Sequence, residues 1–331
     1  IGLDNFIGNL TSINKKYQEP ADFDNTITNI LQKNLSLNSF ESNLSKYLLL
    51  TSVLLRKKIN KPLNNIIVGS ALSSLSSIYT FEKMAQNKGY YGINPGTFPD
   101  TVLNVPACRI ALLEKKLTLA ETISAGLCSG LDAIGMGCCY LNNNPSLHEI
   151  ICGGGDEYNK ELKYIFNTNH GFYGFDKGAA LFQLKRLKTA RQEKTTILAE
   201  IVGYRTNQNN DINKNIEENI RNILAKSKII KSDIDLILTN KNKLNKKIDT
   251  AEEKAIEKIF GKEQPRLAVK KYTKECLGLS GPIQIIIASL FFQNQKFNLF
   301  NLKKKKNNII LINNINPDGR ISTIILKKHG K

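Results

Sequence analysis

Apolar positions along the chain follow two rhythms in alternation. Up to about residue 60 the spacing is helical and largely polar, with an apolar stretch at Tyr47-Leu48-Leu49-Leu50 that feeds Val53-Leu54-Leu55. Asn65-Ile66-Ile67-Val68-Gly69 is a short β-branched run closed by glycine, the pattern of a buried strand. Ile93 to Pro99 is a loop punctuated by proline and glycine. Helical spacing resumes over Leu103 to Leu113, and Thr122-Ile123-Ser124 reads as a short strand. Ser129 to Leu141 carries small and apolar residues at helical spacing and stops at the breaker Asn142-Asn143-Asn144-Pro145. Glu149 to Gly153, Ala179 to Lys185 and Thr195 to Tyr204 read as strands.

The same alternation then returns. A helix over Ile216 to Ser227 leads to a strand at Ile234 to Leu238, and a charged helix, Ala251 to Phe260, leads to Arg266 to Val269. An apolar helix, Gly281 to Phe292, leads to Asn308 to Ile312, and a turn at Pro317-Asp318-Gly319 brings in Ile321 to Leu326. Helices alternating with strands in both halves predict an α/β layered fold. Two comparable halves, 1–190 and 191–331, predict a duplicated unit, although identity between them is too weak to show it directly.

Composition narrows the class. A chain of 331 residues with 41% hydrophobic content can bury a large core. No signal-peptide pattern is visible at Ile1, and the longest apolar run, Pro282 to Phe292, falls far short of the ~20 residues a membrane span requires. A soluble, cytoplasmic protein is expected. Cys108, Cys128, Cys138, Cys139, Cys152 and Cys276 are scattered through mostly apolar surroundings, which suits reduced thiols better than a disulfide framework. Cys138-Cys139 reads as a pair of buried small hydrophobes rather than a redox pair. No CxxC pair occurs and the three histidines lie far apart, so no metal is expected. The net charge of +18 favours acidic partners, but the lysines are spread along the chain and the dense run Lys303 to Lys306 reads as a solvated turn. Nothing resembles a nucleic-acid recognition motif.

Five segments in order resemble the β-ketoacyl synthase family of the thiolase-like fold. NPGTFPDTVLNVPA (Asn94 to Ala107) looks like its phenylalanine-proline loop before the dimer-interface helix, and SAGLCSGLDAIG (Ser124 to Gly135) like its nucleophile turn and helix. CGGGDE (Cys152 to Glu157) looks like its glycine-rich strand end, and AEIVGY (Ala199 to Tyr204) like the strand opening its second half. VKKYTKECLGLSG (Val269 to Gly281) resembles its lysine–histidine motif. The resemblance spans roughly residues 60 to 326 and implies a duplicated α-β-α-β-α layered fold. The wording SGLDA (Ser129 to Ala133) is similar to the ketosynthase pairs of type II polyketide systems, in which an active subunit joins a chain-length factor that lacks the nucleophile.

The chemistry implied by the family needs a cysteine on a tight strand-to-helix turn, where the helix N-terminus lowers the thiol pKa and offers N–H groups to an oxyanion. It also needs two histidines, for decarboxylation of a malonyl unit and stabilisation of the enolate. Counting from Gly130 places the nucleophile on Leu127, which has nothing to ionise. The neighbouring thiol Cys128 is offset by about 100° on a helix. The first histidine position falls on Asn240, or on Lys241 if the loop is gapped, and the second, counted back from Gly278, falls on Glu275. Lys270 matches the family lysine and is read as structural without its partners. The gate near the C-terminus reads Asn316-Pro317-Asp318-Gly319 instead of a phenylalanine between glycines. His148, His170 and His329 fill none of these positions and read as surface residues.

The resemblance therefore implies a chain-length-factor-like pseudoenzyme without cofactor. It would form a heterodimer with an active ketosynthase and shape its acyl tunnel, in polyketide, aryl polyene or fatty-acid-like biosynthesis. An acyl carrier protein is the expected further partner. Tunnel and interface residues are expected along Ala107 to Leu113, among them Cys108, Leu112 and Leu113. Two alternatives remain open at this point: an active 3-oxoacyl-acyl-carrier synthase using Cys128, and a basic scaffold or nucleic-acid-binding protein.

Overall fold

The computed structural model describes residues 42–115, 119–158, 172–293 and 308–330. Expectations for residues 1–41, for His170 and for the Lys303 to Lys306 run lie outside the described residues. In chain order the elements are α1 (Asn43–Ile59), β1 (Ile66–Gly69), α2 (Leu75–Lys88), α3 (Val105–Glu114), β2 (Ala120–Ile123), α4 (Ser129–Asn143), β3 (Glu149–Asp156), β4 (Gly178–Lys185) and α5 (Leu187–Gln192). There follow β5 (Glu200–Gln208), α6 (Ile212–Ser227), β6 (Leu236–Leu238), α7 (Lys246–Phe260), β7 (Arg266–Leu267), α8 (Lys270–Thr273), α9 (Ser280–Phe292), β8 (Ile309–Ile315) and β9 (Arg320–Lys327).

The strands form two sheets, ordered β2-β1-β3-β4 and β5-β9-β8-β6-β7. In each, the middle strand (β3 or β8) pairs parallel with one neighbour, β1 or β6, and antiparallel with the strand that follows it, β4 or β9. The second sheet repeats the order of the first with β5 added at one edge, which makes the duplicated architecture visible.

Alternation along the strands explains the layering. Side chains of a strand point to opposite faces in turn, so strands with helices on both sides are apolar throughout. Ile66 and Val68 enter a core with Leu44, Leu48, Ala107 and Ile110 of α1 and α3, whereas Ile67 between them faces the centre of the molecule. Ile237, Leu311, Ile321 and Ile325 face Ile216, Ile220, Ile256 and Ile259 of α6 and α7, whereas Leu236, Leu238, Ile310, Ile312 and Ile324 face the centre. That centre holds α4 and α9, whose Leu131, Ile134, Ile287 and Phe291 are packed between the sheets. α9 is buried around nearly its whole circumference, as its uniformly apolar sequence requires. The outcome is the thiolase-like α-β-α-β-α layering.

Several boundaries differ from the pattern reading. Thr195 to Ala199 precede β5 without strand pairing, because that strand runs on to Gln208 against β9. Ala268 and Val269 leave β7 early, as α8 begins at Lys270. α2 escaped notice because its apolar residues do not form a continuous stripe, and none of its residues is buried. No helix among the described residues is long and apolar enough to cross a membrane.

Candidate functional site at the junction of the two halves

The two central helices start from equivalent tight turns. Gly126–Cys128 forms a single 3-10 turn before α4, and Leu277–Leu279 forms one before α9. The segments AGLCSG (Ala125 to Gly130) and CLGLSG (Cys276 to Gly281) correspond residue by residue. Gly126 and Leu277 both have positive φ, 56° and 52°. The serine of each SG pair accepts the N–H four residues earlier, Ala125 to Ser129 Oγ at 2.8 Å and Cys276 to Ser280 Oγ at 3.0 Å. This short repeat is the trace of duplication that overall identity between the halves conceals. The turns meet where Gly130 lies against the carbonyl of Gly278, so closely that a Cβ would sit 2.0 Å from its oxygen.

Leu127 occupies the first turn and is only 2% exposed. Its side chain packs with Phe175 and Leu277, bordered by Leu72, Leu75 and Phe172. Its backbone N–H donates to Oδ1 of Asn316 at 3.2 Å. Cys128 is directed elsewhere, with its thiol donating to the carbonyl of Asn314 at 3.3 Å and lying 3.7 Å from that of Arg320. Burial pushes the Cys128 thiol up to about 12, with the nearby Asp132 carboxylate adding to the effect. The helix N-terminus is outweighed by desolvation, and at neutral pH this sulfur is an inert, buried thiol.

The positions read as histidine replacements converge on Lys270. The Lys270 ammonium donates to Asn240 Oδ1 and to Glu275 Oε2, each at 2.8 Å, and both ends of the ion pair are buried. Glu275 also accepts Nδ2 of Asn242 at 2.5 Å, the N–H of Leu277 at 2.9 Å and the Ser280 hydroxyl at 2.6 Å. Asn240 accepts the N–H of Ile315 at 3.1 Å, while its own N–H donates to both carboxylate oxygens of Glu252. Burial raises Glu252 to about 7 despite these donors and Nδ2 of Asn313. Glu275 is therefore consumed by an internal network rather than held out toward a substrate. Lys241, the gapped alternative for the first histidine, donates to none of these groups.

The pattern reading missed most of this polar shell. Asn242, Glu252, Asn313, Asn314 and Asn316 are contributed by loops, a helix and the end of β8, and only the interruption of the apolar run Ile309 to Ile312 by Asn313-Asn314 hinted at it. It also missed Asp132, whose carboxylate pairs with Arg320 at 2.9 Å and accepts the hydroxyls of Tyr204, at 3.0 Å, and Ser322. This cluster ties α4 to β5 and β9, and burial, together with the carboxylate, holds the Tyr204 phenol well above its ordinary range.

Elsewhere the placements are mixed. On α3, Cys108 and Leu112 share one helix face; Leu112 is 69% exposed, while Leu113 packs partly buried against the α1–α3 core. Tyr90, Tyr91, Phe98 and Leu103 are exposed on the segments before α3, and among the described residues β2 is an edge strand paired only with β1. The reading of Cys138 and Cys139 as buried hydrophobes is corrected for Cys139, which is exposed because α4 turns that side away from the central core; Cys138 is half-buried, and burial pushes its thiol up to about 12. His148 is exposed, whereas His329 pairs through Nδ1 with Glu200 and is not a free surface residue.

A scan against protein-family models and a search of curated proteins both return no match. Solved structures do match over nearly the whole chain. One is the ishigamide ketosynthase/chain length factor, with a TM-score of 0.77, 17% identity, and coverage of 88% of this chain and 83% of that one. A β-ketoacyl synthase from Burkholderia phymatum gives a TM-score of 0.77 at 16% identity, covering 96% of this chain and 87% of that one. A type II polyketide-synthase acyl carrier protein in complex with its ketosynthase gives 0.75 at 14% identity, with 89% and 87% covered. The chain thus has the thiolase-like ketosynthase fold.

Proposed function

We propose that this chain is a non-condensing ketosynthase-like subunit of the chain-length-factor type, formed by two halves divided near residue 190. The observation that carries the reading is Leu127, an ionisation-free side chain sealed by packing on the turn that the resemblance reads as the nucleophile turn. Asn240 and Glu275 support it, since both are engaged with Lys270. Cys128 does not substitute, because its thiol is buried and directed at the Asn314 carbonyl.

The partner in this reading is an active ketosynthase subunit, with an acyl carrier protein delivering the chain. The edge of β2, unpaired among the described residues, and the exposed apolar residues Tyr90, Tyr91, Phe98 and Leu112 favour burial against another subunit. Cys108, Leu112 and Leu113 would then bear on tunnel length through bulk alone. The product class is polyketide, aryl polyene or fatty-acid-like.

Coexpression with ketosynthases encoded nearby, followed by sizing and by malonyl-carrier decarboxylation assays, tests this. A stable 1:1 complex, with decarboxylation confined to the partner, is expected. Decarboxylation by the isolated chain, with alkylation of Cys128, would replace the proposal with an active synthase. Salt-dependent DNA binding without any ketosynthase complex would favour a scaffold.

A further inference from the structure

The two central turns share a feature beyond their sequence repeat. In each, the third residue of the six-residue segment, Leu127 in the first and Gly278 in the second, has a backbone N–H at the start of a helix, where no intrahelical acceptor exists. Both N–H groups are nonetheless satisfied by a side-chain oxygen. Gly278 donates to Oδ2 of Asp156 at 2.7 Å, and Leu127 donates to Oδ1 of Asn316 at 3.2 Å.

The two acceptors also correspond. Asp156 ends β3 and Asn316 follows the last residue of β8, and these are the equivalent middle strands of the two sheets. Two residues earlier, Gly154 lies against the carbonyl of Gly278, and the carbonyl of Asn314 accepts the Cys128 thiol. Each middle strand therefore closes the turn of the opposite half. Asn316 fits the first turn closely: a Cβ on Gly126 would lie 2.2 Å from its Oδ1, so the space beside this turn is filled by the Asn316 amide.

We propose that Asn316 is a built-in occupant of the Leu127 turn, an autoinhibitory contact that holds it shut in the way Asp156 holds the Gly278 turn. A turn that in this fold could offer its N–H to a thioester carbonyl is thereby given the closed arrangement of its structural counterpart. The two caps form a reciprocal lock between the halves. The inference rests on the reading of this turn as a vestigial nucleophile turn.

Hydrogen–deuterium exchange of the full-length protein, resolved to residues 125–128 and 276–279, tests it. Asn316→Ala should raise exchange at Leu127 at least tenfold and leave Gly278 unchanged, whereas Asp156→Ala should do the reverse. Asn316→Asp, which keeps the acceptor oxygen, should retain protection at Leu127, and it guards against a misfolded alanine variant. Equal acceleration at both turns in either alanine variant, an unchanged Leu127 rate in N316A, or loss of protection in N316D would overturn the proposal. Because this readout needs no partner, its failure is separable from failure of the coexpression test.

Discussion

Lys270 and Glu275 form an ion pair at 2.8 Å with side chains only 1% and 0% exposed. The pair is unequal in its support. Glu275 accepts three further hydrogen bonds, from Asn242, Leu277 and Ser280, whereas among the described residues Lys270 has only Asn240 besides the carboxylate. Removing one partner of a buried pair strands the other, at a cost of about 3–5 kcal/mol. Glu275→Ala strands an ammonium together with three donors and should fall at or beyond the upper end of that range. Lys270→Met leaves a carboxylate that keeps its other donors and should cost less. Urea denaturation of both variants checks the order, and equal losses would refute it.

Thiol accessibility separates the six cysteines. Native protein treated with iodoacetamide should be modified first at Cys139, which is exposed, and then at Cys108. Cys128, Cys152 and Cys276 are buried and Cys138 half-buried, and burial raises all four thiols above their ordinary range. They should remain unmodified until the chain unfolds, as read by peptide mass spectrometry. Early labelling of Cys128 would contradict its placement.

Leu127 should behave as a core residue. Truncation to alanine empties the space between Phe175 and Leu277 and should cost about 2–5 kcal/mol. L127C should be better tolerated yet, on the proposed reading of Asn240 and Glu275 as histidine replacements engaged with Lys270, should not decarboxylate malonyl-carrier protein. Appearance of decarboxylation in that single variant would show that the rest of the machinery is intact.

Asp156 accepts the Ser70 hydroxyl and the N–H groups of Ala71, Leu72 and Gly278, yet burial dominates and raises it from the usual carboxylate range to about 7. The folded protein then holds a proton that the unfolded chain releases near pH 4. Stability contributed at this site is full below that pH and is lost as pH rises through about 7. Asp156→Asn removes the titration while keeping an acceptor oxygen. Its melting temperature relative to the parent should therefore rise between pH 4.5 and 7.5, by the equivalent of at most about 4 kcal/mol. Circular dichroism suits the measurement, since the chain contains no tryptophan. A difference that stays flat or falls with pH would count against the assignment.

The buried strands could be read from the chain because their evidence is local. Ile66-Ile67-Val68 and Ile309 to Ile312 are β-branched or apolar at every position, and such runs need helices on both faces whatever the surrounding topology. The convergence of Asn240 and Glu275 was not legible. They lie on separate elements, and nothing in their spacing says that Lys270 would fall between them. The exposed face of α4 at Cys139 was missed for a similar reason, since a run of small residues at helical spacing does not reveal which side of the helix is covered.

By itself, the sequence determined the layered α/β class, the apolar strands and the central helices. Those are properties of composition and short-range periodicity. Only the tertiary structure decided that Cys128 is directed away from the turn, that Glu275 is neutralised by Lys270, and that Asn316 closes Leu127 from the opposite half. Each depends on side chains far apart in the chain meeting in a dry interior. There a hydrogen-bond partner, or its loss, decides whether a group is reactive or structural.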